Sequence, residues 1–448
     1  MMNNSFNSGL NHSEIYEKLL EERFDEKTLE RFLKYVKIDT TSDPNCQSAP
    51  STKIQFDLAN VLVEELKSFG INNAHVDDKS IVMAHIPSNL NQSNQSNQSS
   101  KNKMQNKIPK IGFIAHLDTS CEVSGKDVNP TVIKSYEGGD IILKNGTVIR
   151  ESESQNLSKC LKHTIITSDG NTLLGSDDKA GIASIMTALE YLYKHPEIPH
   201  GEIRVAFTPD EEIGLGVVNF DVKKFDADFA YTVDGGFTIN METFSADSAE
   251  IIIKGKNIHP GKAKNVMVNA VKVSTAIVSR LPLHMSPETT DKYQPYIHPH
   301  VLEASVDQAK LKLLFRSFDD EGLIEQKKII EGIISEVSKI YPEAKLELNV
   351  TPTYRNMKKR LLEDAPKALA LLQKATADCG LEIEYTPIRG GTDGSGLTAM
   401  GLPTPNIFYG GDNAHAVTEW QSLDYLLKST EVILKIIDSS RSLHISKA

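Results

Sequence analysis

The chain has 448 residues, with 60 acidic against 49 basic side chains and a formal net charge of −11. That length exceeds one ordinary core and points to two or three domains, and an acidic balance without any basic tract excludes a nucleic-acid partner. No apolar run reaches the ~18 residues of a membrane span, and the N-terminal string MMNNSFNSGLNHSEIYEKLL lacks the basic-then-apolar order of a secretory signal.

Residues 1–24 read as a polar extension. Helical spacing of Leu29, Phe32, Leu33 and Val36 predicts a helix over 25–37, and a second amphipathic helix follows over 54–69. Residues 80–86 and 110–115 read as strands, the second an apolar run suited to a buried sheet. Between them, 89–107 contains NQSNQSNQSS, a polar low-complexity segment expected to be a disordered loop. Residues 172–174 lead into the apolar helix of GSDDKAGIASIMTALEYL, and IRVAFT (203–208) and AYTV (230–233) are two more strands. Strands alternating with helices predict an α/β fold with a largely parallel sheet.

The middle third changes character. Strand 250–254, helix 268–281, a hairpin of 301–306 and 311–315, helix 321–340 and strand 345–350 form the order β-α-β-β-α-β. That is a ferredoxin-like α+β unit, and it predicts an inserted domain over 247–353, with residues 25–246 and 354–448 forming one discontinuous domain. In helix 321–340 the apolar side is expected to hold Ile329, Ile330, Ile333, Ile334, Val337 and Ile340. The last part carries an amphipathic helix, a Gly-rich loop at 389–396 and a strand at 405–408.

Acids and histidines gather where strands are expected to end. His116-Leu117-Asp118 follows an apolar run, and residues i and i+2 of a strand share a face, so His116 could bind a metal while Asp118 holds its other ring nitrogen. Asp177-Asp178 lies at a strand-to-helix turn, where helix N-capping is the competing reading. Asp210-Glu211-Glu212 and Asp234 follow two further strands, and His415 sits in GGDNAHAVTEW. So many acids on one sheet edge repel each other unless cations neutralise them. A mixed imidazole–carboxylate set suits zinc, manganese or cobalt better than calcium or magnesium, and the lack of cysteine in it suits a catalytic site. Cys46, Cys121, Cys160 and Cys379 have no CxxC spacing and read as free thiols of a reducing, cytoplasmic compartment.

The strings IGFIAHLDTS, TLLGSDDKAGIASIMTAL, PHGEIRVAFTPDEEIG, FDADFAYTVDGG, HPGKAKNVMVNA and PIRGGTDGSGLTAMGLPTPNIF resemble the M20 di-zinc metallopeptidases, from about residue 25 to the C-terminus. The resemblance implies a zinc-peptidase-like α/β catalytic domain with an inserted lid, and a cytoplasmic aminopeptidase acting on short peptides, chiefly tripeptides. It implies two Zn2+ per chain. Asp177 would bridge them, His116 and Asp234 would complete one ligand set, and Glu212 and His415 the other; Asp178 is the alternative bridging residue. Glu211 is implied as general base and Asp118 as the group orienting His116, with a cis peptide after the bridging aspartate. In the insertion, His259 would donate to the oxyanion and Arg316 would hold a substrate carboxylate; an ordinary surface residue is the competing reading for each. Asn269 and the loop from Arg389 to Asp393 are further substrate-contact candidates, and a homodimer through the lid is a further expectation. Deacylases, carboxypeptidases and dipeptidases share the metals, so the ligands alone do not separate these activities.

Overall fold

The computed structural model describes residues 13–46, 48–90 and 108–443. From residue 91 on, the low-complexity stretch expected to be a loop lies outside them. The chain forms two compact units: one of residues 1–241, 360–386 and 396–448, the other of 242–359 with 387–395.

The first unit is built on a six-stranded sheet in the order His75–Val76, Val82–Ile86, Ile203–Thr208, Ile111–His116, Phe229–Val233, Asn406–Ile407. The last four strands are parallel, and Val82–Ile86 joins antiparallel. Ile111–His116 is buried at every position, because both faces are covered. Phe113, Ala115, Phe207 and Tyr231 pack with helices on one side; Ile114, Ala206 and Ala230 pack with Phe225, Leu397 and Leu402 on the other. Helices Ser176–Lys194 and Leu423–Ser440 are buried on nearly every side and pack on each other, as expected of helices apolar all round.

Two local expectations differ from the structure. Helix Phe24–Val36 buries Thr28, Arg31 and Tyr35 along with Phe32 and Val36, while Leu29 and Leu33 are only partly covered. The buried face is rotated because Arg31 finds partners from distant helices: Glu65, Thr187 and Glu190, each within 2.8 Å. The polar extension also contains a helix, Glu14–Glu21, capped by Ser13. Its Tyr16 and Leu19 are buried three residues apart, which anchors it, and the buried Lys428 ammonium lies 4.3 Å from the Tyr16 ring centre.

A second sheet in this unit, Gly411–Asp412, Trp420–Ser422, Ile165–Thr167 and Thr131–Ile133, has no counterpart among the sequence expectations. Its strands have two or three residues each, too short for a periodicity to register. Trp420 is buried there and donates its Nε1–H to Ser154 Oγ.

The second unit is a four-stranded antiparallel sheet in the order Tyr296–Ala304, Gln308–Ser317, Ser245–Lys254, Lys345–Tyr354. With helices Ala270–Val278 and Asp320–Ile340 between strands, this is the ferredoxin-like order. One sheet face and the two helices enclose a core of Ile251, Ile253, Leu311, Leu313, Phe315, Val273, Ile277, Ile330 and Val337. The unit is wider than 247–353, since its strands Ser245–Lys254 and Lys345–Tyr354 are both longer than their apolar centres. In helix Asp320–Ile340 the apolar stripe exceeds the buried one: Ile330, Ile333 and Val337 are buried, and Ile340 is exposed.

Candidate metal centre

Three parallel strands end in an acid or a histidine. Ile111–His116 finishes on His116, Ile203–Thr208 runs into Asp210-Glu211-Glu212, and Phe229–Val233 delivers Asp234. Ligands of such sheets collect beyond these ends. Asp177 and Asp178 arrive by another route: 172–174 is not a strand, and both aspartates lie in the first turn of helix Ser176–Lys194 with non-helical dihedral angles. The peptide bond between them is cis, and Gly175 before them has φ +79°. His415, at φ 63°, lies in the loop between Gly411–Asp412 and Trp420–Ser422.

These side chains converge on Asp177. One of its oxygens lies 3.1 Å from His116 Nε2, the other 3.7 Å from His415 Nε2. His415 Nε2 also lies 2.8 Å from Glu212. Two donor groups result, His116–Asp177–Asp234 and Asp177–Glu212–His415, each with its candidate atoms within 4.8 Å of one another. Glu211 belongs to neither. Asp178 is turned away from this role: one oxygen accepts from the His116 backbone N–H and the other from that of Gly181.

Asp118 does two jobs. Its backbone carbonyl lies 3.0 Å from His116 Nδ1, closer than its carboxylate at 3.5 Å. The carboxylate accepts from the amides of Glu211, at 2.9 Å, and Glu212, at 3.2 Å, so it also sets the turn that presents both glutamates. Asp210, first of the three acids, faces inward to Ser51 and Gln55. Residues that sequence reasoning missed sit around this centre. Glu419 accepts the backbone N–H groups of Leu174, Gly175 and Asp177, and Glu122 lies 3.6 Å from His415 Nδ1. Neither stands next to a strand-end cluster in sequence.

Carboxylates outnumber imidazoles at this centre, and the groups shift one another. Burial and the neighbouring Asp177 raise the Glu212 carboxyl, and burial with Asp177 and Asp178 raises Asp234 well above the carboxylate range. Burial disfavours a charged His116, but its hydrogen bonds to Asp118 and Asp177 win and hold it well above the usual imidazole value. Hydrogen bonds to Asp177 and Glu212 push His415 up to about 11. Glu212 Oε1 is moreover buried with no hydrogen-bond partner among the described residues, a rare and costly condition that a cation would relieve. Two imidazoles and three carboxylates with one shared oxygen-bearing residue fit a pair of borderline divalent ions.

The second unit holds the other candidates. His259 is exposed, and its Nδ1 accepts from the Gly261 N–H at 3.1 Å. Asn269 caps helix Ala270–Val278 by accepting from Val271 N–H. Arg316 donates to the Phe315 carbonyl and lies over the Tyr354 ring. Arg389 is committed to its own unit: it donates to the carbonyls of Lys292 and Gln294 and to Thr290 Oγ1, and lies over Phe244 and Tyr296. These contacts hold its guanidinium over a loop of its own unit.

Residues 167–439 match the model of peptidase family M20/M25/M40. The chain is 44% identical to the peptidase T of Geobacillus kaustophilus (strain HTA426) over 416 residues, covering 92% of this chain and 98% of that relative. The chain belongs to the M20 family, in its peptidase T group. Its fold is that of M20 structures. A tripeptidase from Staphylococcus aureus subsp. aureus Mu50 superposes with a TM-score of 0.70 at 22% identity, covering 93% of this chain and 98% of that one. A dinuclear metal-binding M20 peptidase from Bacillus subtilis gives 0.60 at 14% identity, covering 93% and 98%. Among the described residues, no helix of this M20 chain is long and apolar enough to cross a membrane.

Proposed function

We propose that this M20 peptidase removes the N-terminal residue from short peptides, chiefly tripeptides, at a centre of two divalent metal ions. The observation that carries the reading is the pair of donor groups sharing Asp177, with the carboxyl-bearing Glu211 beside them and in neither. His116, Asp177 and Asp234 would hold one ion; Asp177, Glu212 and His415 would hold the other. Zinc is the metal that this nitrogen–oxygen set suits best. Bound there, the ions would lower the pKa of water and polarise the scissile carbonyl.

The chain's own residues supply the rest. Glu211 takes a proton from the attacking water and passes it to the leaving amine. Asp118 keeps that base in place through the Glu211 N–H and keeps His116 oriented through its carbonyl. His259 accepts at Nδ1, which leaves Nε2–H to donate to an oxyanion. Arg316 pairs with the peptide carboxylate, a geometry that suits guanidinium. We assign the enzyme to the cytoplasm, in keeping with four cysteines that form no disulfide among the described residues, two of them buried. We assign it a homodimer formed through the inserted unit.

Metal analysis together with a peptide series tests the reading. Purified, metal-saturated protein is expected to hold two ions per chain and to cleave free tripeptides faster than dipeptides, tetrapeptides or N-acetylated tripeptides. Equal cleavage of the acetylated and free peptides would replace the aminopeptidase with a deacylase or carboxypeptidase. One ion at saturation would remove the shared-aspartate scheme.

A further inference from the structure

We propose that Glu419 is a positioning residue for the metal centre, a carboxylate clamp that fixes the backbone from which Asp177 projects. This rests on the two-metal reading of the site. The Glu419 side chain is almost wholly buried, at 1% exposure. One oxygen accepts the N–H groups of Leu174, at 2.8 Å, and Gly175, at 2.7 Å; the other accepts that of Asp177, at 2.9 Å. Three amides at a helix start, which have no partner within the helix, thus converge on one side chain.

Its position in the chain matters as much as its contacts. Glu419 stands four residues after His415, in the segment that also supplies Gln421, whose Oε1 accepts from Ser176 Oγ. One short stretch therefore carries a candidate ligand and holds the turn that carries another. Asp177 is the residue common to both donor groups, so looseness in its backbone would disturb both ions together. The neighbouring turn is set by the same device: Asp118 accepts the amides of Glu211 and Glu212. These two carboxylates, neither of them a candidate ligand, each hold the backbone of a candidate ligand. Such outer partners commonly affect metal affinity by about 10–100-fold.

The test uses the full chain, stripped with a chelator and titrated with Co2+ alone, comparing wild type with Glu419→Gln. The amide keeps the shape but sets an NH2 group against a backbone N–H. The expected result is Co2+ binding weakened by roughly 10–100-fold for at least one ion, with kcat falling more than KM rises. Glu419→Asp, which retains the carboxylate, is expected to recover part of the loss. Unchanged Co2+ affinity, stoichiometry and kcat with only a lower melting temperature would overturn the proposal and leave Glu419 a structural residue. Should Glu419→Gln fail to fold, hydrogen exchange on the stripped wild type decides. Protected amides at Leu174, Gly175 and Asp177 support a clamp formed before metal arrives, and exchange at the rate of an open loop overturns it. If the wild type takes up no Co2+, the two-metal reading itself fails and the clamp goes with it; uptake of two ions with the same affinity by wild type and variant removes the clamp alone.

Discussion

The two units hold their chemical residues in opposite ways. In the first, the candidate ligands His116, Glu212 and Asp234 follow buried strands, and carboxylates that are not ligands hold the backbone around the site: Asp118 on Glu211 and Glu212, Asp178 on His116, Glu419 on Asp177. In the second, His259 is exposed, Asn269 is a helix cap and Arg316 leans on a ring of its own sheet. The sheets explain the difference. A sheet covered on both faces has dry strand ends, where charges persist only if paired and hydrogen-bonded. A sheet with helices on one face leaves its other face to solvent, where side chains adapt to what they meet. Rigid placement suits metal and proton chemistry; adaptable side chains suit recognition of variable peptides.

The sharpest way to break this comparison is at the base. Glu211→Ala is expected to cut kcat by at least 10²–10⁴-fold, roughly the usual worth of a general base, with metal content unchanged. Steady-state kinetics with metal analysis on the same sample checks it, and metal lost along with activity would make Glu211 a ligand. On the recognition side, blocking the C-terminus of a tripeptide as an amide is expected to cost about 1.5–3 kcal/mol in kcat/KM, the worth of a hydrogen bond to a charged group. Arg316→Ala should abolish that difference between acid and amide; a difference that survives would assign the carboxylate to another residue.

The buried charges of the first unit make a pH prediction away from the centre. Burial raises Glu190, but hydrogen bonds from Lys194 and Arg31 outweigh it and lower the carboxyl from its usual 4.5 to about 2. A carboxylate depressed on folding adds stability that is complete above the unfolded pKa and is lost as pH falls through the folded one. Glu190→Gln is therefore expected to destabilise by about 1.5–3 kcal/mol at neutral pH, with the gap closing between about pH 4.5 and 2. Denaturant melts across that range measure it, and a gap independent of pH would show that the ion pairs are not its source. The smallest effect belongs to the second unit: Asn269→Ala should cost ~1 kcal/mol, the usual value of an N-cap, without changing metal stoichiometry. A large loss of activity at unchanged stability would show Asn269 meeting substrate.

Strand-end clusters made much of the centre readable from the residues in order. His116, Asp118, Glu211, Glu212 and Asp234 follow apolar runs that the structure shows as strands, and the choice of one aspartate over its neighbour came from motif resemblance. What escaped was held in place by partners distant in sequence. Nothing near Arg31 in sequence marks it as buried; its acids come from helices 34 and 159 positions away. Nothing near Glu419 in sequence marks its role either; the amides it accepts lie 242 to 245 positions earlier, at Leu174, Gly175 and Asp177. Asp118 has its carboxylate on residues 93 and 94 positions later, where a local reading could assign it only to His116.

By itself, then, the sequence determined that an α/β sheet presents acids and histidines at its strand ends and that a β-α-β-β-α-β stretch interrupts it, because periodicity and strand termini are local properties of the chain. Only the tertiary structure decided which oxygen faces which imidazole. It aimed Asp177 at both histidines while turning Asp178 onto backbone amides, and it turned Asp118 and Glu419 into backbone clamps. Those outcomes depend on hydrogen bonds made only once distant segments close together, and in a dry interior each amide must find an acceptor somewhere.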